Sequence, residues 1–116
     1  MYLTVAVRKA LGVNNETVYI TTRTMKHLYD KRPAEEYDSL IYNIVTVIRY
    51  PEKIYKNKHG KRGDYCFVTE IKGYMHFTSL EIIDDKIFIV TSFRVSESYL
   101  KNYELLWSWK SGESSS

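Results

Sequence analysis

The hydrophobic period of the chain changes at Tyr50 and Pro51, from about 3.6 residues before them to 2 residues after them. Residues 33–49, on the helical side, carry one apolar stripe made of Tyr37, Leu40, Ile41, Ile44 and Ile48. The other side contains alternating segments that indicate strands at residues 53–57, 64–72, 74–83 and 86–94. A long helix followed by antiparallel strands is typical of an α+β domain.

The remaining segments complete a single domain over residues 1–110. We expect a short strand or arm at residues 1–7, a strand at 18–22, a helix at 25–31 capped by Thr22 or Thr24, and a helix from Ser96 to about Tyr103. Residues 105–110 are expected to be extended chain that covers the sheet, or a last strand. Residues 111–116 read SGESSS and predict a flexible tail. The expected fold is α+β, with N-terminal helices packed on one face of an antiparallel sheet of about four strands.

Charge is distributed unevenly along the chain. The net charge is +3, but residues 1–62 hold 12 Lys and Arg against 6 Asp and Glu, whereas residues 63–116 hold 5 against 8. A basic lobe on a small domain favours a polyanionic partner. The single cysteine, Cys66, excludes an internal disulfide, and no signal pattern or long apolar run is present. We therefore expect a cytoplasmic protein without a membrane partner.

Residues 49–63, RYPEKIYKNKHGKRG, are the most basic stretch, with six Lys and Arg against one acid and with aromatic rings between the cations. Cations interleaved with flat rings suit RNA or single-stranded nucleic acid. Within the stretch, Lys58 and His59 are candidate substrate contacts. Arg62 suits bidentate binding of phosphate oxygens, and Lys61 supplies a point charge.

His27 is the candidate for proton transfer, because an ordinary histidine titrates near pH ~6.5. Lys31 lies one helical turn further on, and Arg32 follows it, so both are candidate substrate contacts. Thr91 and Ser92 end a strand and point to opposite faces, so one hydroxyl can reach an open site. The three histidines lack metal-ligand spacing and no phosphate-binding glycine loop occurs, so we expect neither metal nor cofactor.

Four segments in order, VYITTRTMKHLYDKR, RYPEKIYKNKHGKRGDYCF, IFIVTSF and YLKNYELLWSWK, resemble the phage-associated branch of the barnase/EndoU/colicin/RelE-like nuclease superfamily. The resemblance covers residues 18–110. It implies a metal-independent ribonuclease of toxin or phage type in which His27 is the acid or base. Lys61 and Arg62 would then bind the phosphate, and Thr91 or Ser92 would complete the site. Such enzymes often use a strand glutamate as base, and Glu70 and Glu81 are the two options here.

The predicted function is a metal-independent endoribonuclease that cleaves RNA by attack of the 2′-hydroxyl on the phosphodiester. Two alternatives stay open. One is a non-catalytic RNA-binding module. The other is a toxin-like protein-interaction domain that uses exposed tyrosines with Trp107 and Trp109 as anchors. The expected partners are RNA and an antitoxin or inhibitor protein.

Overall fold

The structure is a computed structural model that describes residues 1–57 and 63–109. In it, helix α3 (Tyr37–Arg49) packs its apolar side onto the central strands of a sheet. Ile44, Val47 and Ile48 have no accessible side-chain surface, and Leu40 is nearly as buried. These four residues follow the i, i+4, i+7, i+8 spacing of one helix face. Leu40, Ile44 and Ile48 of the predicted stripe therefore lie in the core, whereas its first member, Tyr37, is 41% exposed.

In the described part of the chain, six strands form one sheet. They are β1 (Val18–Tyr19), β2 (Lys53–Lys56), β3 (Tyr65–Ile71), β4 (Tyr74–Ile83), β5 (Lys86–Val95) and β6 (Glu104–Ser108). Their order across the sheet is β1-β5-β4-β3-β2-β6. The pair β1–β5 is parallel and the other pairs are antiparallel.

The α+β class is confirmed, but the expectation of about four antiparallel strands is wrong, because the sheet has two additional edge strands. At one edge, the two-residue strand β1 pairs in parallel with β5. At the other edge, β6 pairs with β2 and exposes Leu105 and Leu106. Both pairings join segments far apart in sequence, which local patterns do not specify.

The N-terminal segment was expected to be a strand or arm, and it is instead the helix α1 (Val5–Leu11). The hydroxyl of Thr4 accepts a hydrogen bond from the Val7 amide at 3.4 Å and caps the first turn. Gly12 ends the helix with a φ of 69°, in the left-handed region that glycine favours. Alternating apolar residues over so short a segment suit either structure, and these two caps favour the helix.

Helix α2 (Thr22–Asp30) begins slightly earlier than expected, because Thr21 is its cap and accepts from the Thr24 amide at 3.1 Å. It packs against β5 through the buried Leu28. A 3-10 turn, Ala34–Glu36, then leads into α3. None of the helices in the described part of the chain is long and apolar enough to cross a bilayer.

The strands β3, β4 and β5 form a meander closed by two tight turns. Lys72 and Gly73 in the first turn, and Asp84 and Asp85 in the second, all have positive φ. That geometry matches the two-residue hairpin turns that follow the sheet's own twist. The two gaps between the predicted strands, at residue 73 and at residues 84–85, coincide with these turns, and the turns fix which residues face the helices.

The second sheet face carries a smaller apolar cluster formed by Cys66, Val68, Phe77 and Leu100. A 3-10 segment, Glu97–Asn102, brings Leu100 onto it where a helix was expected. Burial raises the pKa of the Cys66 thiol to about 12, so Cys66 serves as a small core residue.

We expect Ile44→Ala to lower the free energy of unfolding by about 2–5 kcal/mol, because it leaves a cavity at the contact between α3 and the sheet. Urea denaturation measures this change. The control is Tyr42→Ala on the same helix, where the side chain is 65% exposed. A loss no larger than that of the control would show that α3 does not hold the core.

Candidate functional site

The helix-facing side of the sheet becomes polar toward one end. On β4, Tyr74, His76 and Thr78 share this face, because side chains alternate along a strand. The register places His76 opposite Arg94 and Thr78 opposite Ser92 on β5. Further along the same strands the face is apolar, so the polar side chains lie where the core ends.

A small cavity of about 30 Å³ opens at this polar end, beneath the start of α3. We call it the His76 recess. It is lined by Arg32, Glu36, Ser39, Leu40, Asn43, His76, Ser92, Phe93 and Arg94. Its polar lining contains two guanidinium groups, one carboxylate and one imidazole.

Arg32 fixes one side of the recess. Its guanidinium donates a hydrogen bond to the carbonyl of Ser92, which ties the segment before α3 to β5. The hydroxyl of Ser92 lies 2.9 Å from the hydroxyl of Thr78, so the buried polar atoms of Ser92 already have partners. Arginine has five N–H donors, and one bond to a carbonyl leaves others for a ligand.

Arg94 forms the other side of the recess. Its Nη2 lies 3.4 Å from Oε1 of Glu36. Its guanidinium carbon lies 4.1 Å from the ring centre of Tyr74, which is a cation–π distance. The ion pair is partly exposed and adds little stability, but the two contacts together hold the arginine beside the recess.

His76 is 8% exposed and lines the recess. Within residues 1–57 and 63–109 its imidazole has no hydrogen-bond partner. Burial lowers the pKa of His76, Arg94 and Arg32 lower it further by repelling a second positive charge, and Glu36 acts in the opposite direction. The imidazole is therefore neutral at pH 7 and has a free lone pair.

The structure brings together only part of the set of site residues predicted from the sequence. Arg32 and Ser92 line the His76 recess, whereas the exposed His27 and Lys31 do not. Thr91 pairs across the sheet with Ser79, on the face opposite to Ser92. The other four predicted residues lie outside the described part of the chain: Lys58, His59, Lys61 and Arg62. Their roles, like that of His27, stay predictions.

Sequence reasoning missed Glu36, His76 and Arg94. A signal for His76 was present, because it falls on the same alternating face of β4 as Thr78 and Leu80 and so had to point toward the helices. Glu36 and Arg94 carried no comparable signal. They are 58 positions apart and meet only through the tertiary fold.

We compared the chain with protein-family models, with curated proteins and with solved structures, and none of them matches it. Among the residues that the structure describes, no group of three or more His, Cys, Asp or Glu side chains is arranged to hold a metal ion. The chemistry of the recess must therefore be argued from its own side chains.

We expect the free energy of unfolding to fall as the pH drops below about 6.5, partly because of His76. Its lowered pKa means that the unfolded chain takes up a proton there before the folded chain does. His76→Gln should remove this part of the acid destabilisation, so its stability should fall less steeply from pH 7 to pH 5. Urea denaturation at each pH measures the slope.

The control for this measurement is His27→Gln, which removes an exposed histidine outside the recess. The free energy of unfolding of this variant should fall from pH 7 to pH 5 as steeply as that of the unsubstituted chain. Equal slopes for His76→Gln and the unsubstituted chain would contradict the assigned environment of His76.

Proposed function

We propose that this protein is a metal-independent endoribonuclease whose catalytic site is the His76 recess. One observation carries the proposal: a buried imidazole without a partner among the described residues faces a cavity that two guanidinium groups share. Cleavage of RNA by its own 2′-hydroxyl needs a base for that hydroxyl and positive charge for the transition state. The recess supplies both.

Arg94 and Arg32 are the phosphate contacts in this proposal. Guanidinium groups bind phosphate oxygens through paired N–H donors and keep their charge at any working pH. Arg94 is already oriented by Glu36 and by the ring of Tyr74. Fixed donors of this kind stabilise the extra negative charge of the pentavalent phosphorus without having to reorganise.

His76 is the general base. Its neutral imidazole takes the proton of the 2′-hydroxyl, the 2′-oxygen bonds to phosphorus, and the bond from phosphorus to the 5′-oxygen breaks. The products are a 2′,3′-cyclic phosphate and a new 5′-hydroxyl. No second histidine lines the recess within the described residues, so water gives the departing 5′-oxygen its proton and later accepts the proton held by His76.

The resemblance to the barnase/EndoU/colicin/RelE-like superfamily supports the same reaction class, but it assigned proton transfer to His27. The proposal moves this role from α2 to β4, because His27 is exposed and does not line the recess. It retains Arg32 and Ser92 from the residues predicted at the start. Ser92 acts as a positioning residue, since its carbonyl holds Arg32.

We expect the protein to cleave a fluorophore–quencher RNA in EDTA, and His76→Gln to lower the rate about 10²–10⁴-fold through loss of the base. Arg94→Gln should cost about 10²-fold or more, because one fixed donor to the transition state is removed. The control is Arg23→Gln, an exposed arginine outside the recess, which should cleave at the rate of the unsubstituted chain. All variants are purified in parallel, so a contaminating ribonuclease affects them equally.

Two further measurements, one with a changed substrate and one with a second histidine variant, test the mechanism. A substrate with 2′-deoxyribose at every position should not be cleaved, since the attacking group is missing. His27→Gln separates the two histidines: a loss in that variant larger than in His76→Gln would return the base to α2. Binding of the RNA without product in the unsubstituted chain would leave the non-catalytic alternative and overturn the enzymatic proposal.

A further inference from the structure

A second cavity lies at the opposite end of α3 from the His76 recess. It is an apolar groove of about 440 Å³, which we call the Trp109 groove, and its walls include Val7, Arg49, Tyr50, Pro51, Trp107 and Trp109. The recess is lined by residues within 36–43 and the groove by residues 49–52, so the two cavities are separated along α3 by about 9–20 Å. The groove therefore belongs to a different surface from the recess.

The backbone fixes the position of the rings that line the groove. The Trp109 amide donates to the Glu52 carbonyl at 2.9 Å, which extends the pairing of β6 with β2 by one residue. The Tyr50 amide donates to the Thr46 carbonyl at 2.9 Å and closes the last turn of α3. The two side chains are nevertheless 65% (Tyr50) and 53% (Trp109) exposed, so two held aromatic rings face solvent.

Positive charge accompanies these rings. The guanidinium carbon of Arg49 lies 5.7 Å from the ring centre of Tyr50. Glu52 also lines the groove, and its carboxylate accepts a hydrogen bond from the Glu70 amide at 3.0 Å on the adjoining strand. The groove thus combines flat apolar surface with an accessible cation on its rim.

We propose that the Trp109 groove is a stacking subsite for a base of single-stranded nucleic acid, with Arg49 on the adjoining phosphate. Flat rings beside a cation are the usual means of binding single strands without sequence preference. The groove also contains the start of the basic stretch at residues 49–63, which the recess leaves unused. Arg49 begins the stretch in which six Lys and Arg stand against one acid, and the charge of that stretch favours a polyanion.

The inference rests on the proposed function for its substrate class, but its binding test requires no cleavage. Since the groove and the recess are separated by about 9–20 Å along α3, a strand must be longer than one or two nucleotides to contact both. The groove would therefore hold a substrate whose cleaved bond lies in the recess. Substitutions in the groove should therefore weaken the binding of long substrates and leave the affinity for very short substrates unchanged.

The probe is a fluorescein-labelled ten-nucleotide oligothymidylate, which lacks 2′-hydroxyls and so is not a substrate of the proposed reaction. Fluorescence anisotropy should show binding by the unsubstituted chain. Trp109→Leu keeps apolar bulk but removes the flat ring, and it should weaken binding about fivefold or more. Trp109→Phe should restore part of the affinity. Tyr42→Leu, on the exposed side of α3 outside the groove, is the matched control and should bind normally.

Arg49→Gln should weaken binding and also reduce the dependence of affinity on salt, by a slope of about 0.7 for one phosphate contact on a single strand. The measurement is repeated at several salt concentrations. An unchanged slope would show that Arg49 does not contact a phosphate.

Other outcomes overturn the inference. Equal affinity of Trp109→Leu and the unsubstituted chain would show that no base stacks in the groove. If sedimentation shows a dimer of the unsubstituted chain that Trp109→Leu dissociates, the groove is an interface between two copies. His76→Gln separates this inference from the proposed function, because it should lower the cleavage rate about 10²–10⁴-fold and keep oligonucleotide binding. If only recess variants lose binding, the nuclease proposal stands and the groove inference fails.

Discussion

The packing of α3 on β3 and β4 is the contact on which the rest of the structure depends. Ile44, Val47 and Ile48 are completely buried there, and they determine which face of the sheet turns inward. The ends of the same helix then define the two cavities. Its first turn covers the polar end of the inward face and forms the His76 recess, and its last turn places Arg49 and Tyr50 at the Trp109 groove. One hydrophobic contact thus positions both surfaces.

The threonine and serine hydroxyls on the inward face at the polar end of the core have hydrogen-bond partners. Thr69 donates to the Tyr50 carbonyl at 3.0 Å and accepts the Glu52 amide at 3.2 Å, and Thr78 pairs with Ser92. On this face, His76 has no such partner in the described part of the chain, and the residue is 8% exposed. A largely buried imidazole beside two arginines is a reasonable starting point for assigning chemistry. Among the described residues, the fully buried side-chain polar atom without a partner is the hydroxyl of Ser79, on the opposite face of β4.

The elements that depend on local sequence pattern could be predicted, and those that depend on distant pairing could not. The stripe of α3 and the strand Tyr74–Ile83 follow directly from period and turn residues. The edge strands do not, because β1 is only two residues long and β6 pairs with a strand some 50 positions earlier. The candidate site divides in the same way. Arg32 and Ser92 were found as polar residues near segment ends, whereas Glu36 and Arg94 meet only after the register of the sheet is known.

The order of strands in the sheet also determines which strands can pair early during folding and which can pair only later. The β3–β4–β5 meander needs only short loops to close, so it can form early. The two outer pairings close much longer loops. Strand β1 pairs with a strand almost 70 positions later, and the outer edge of β2 pairs with residues 104–108. Until residues 104–108 pair with it, β2 therefore has an unpaired edge. Such an edge can pair with another chain, so the pairing of β6 with β2 protects this side of the meander from aggregation.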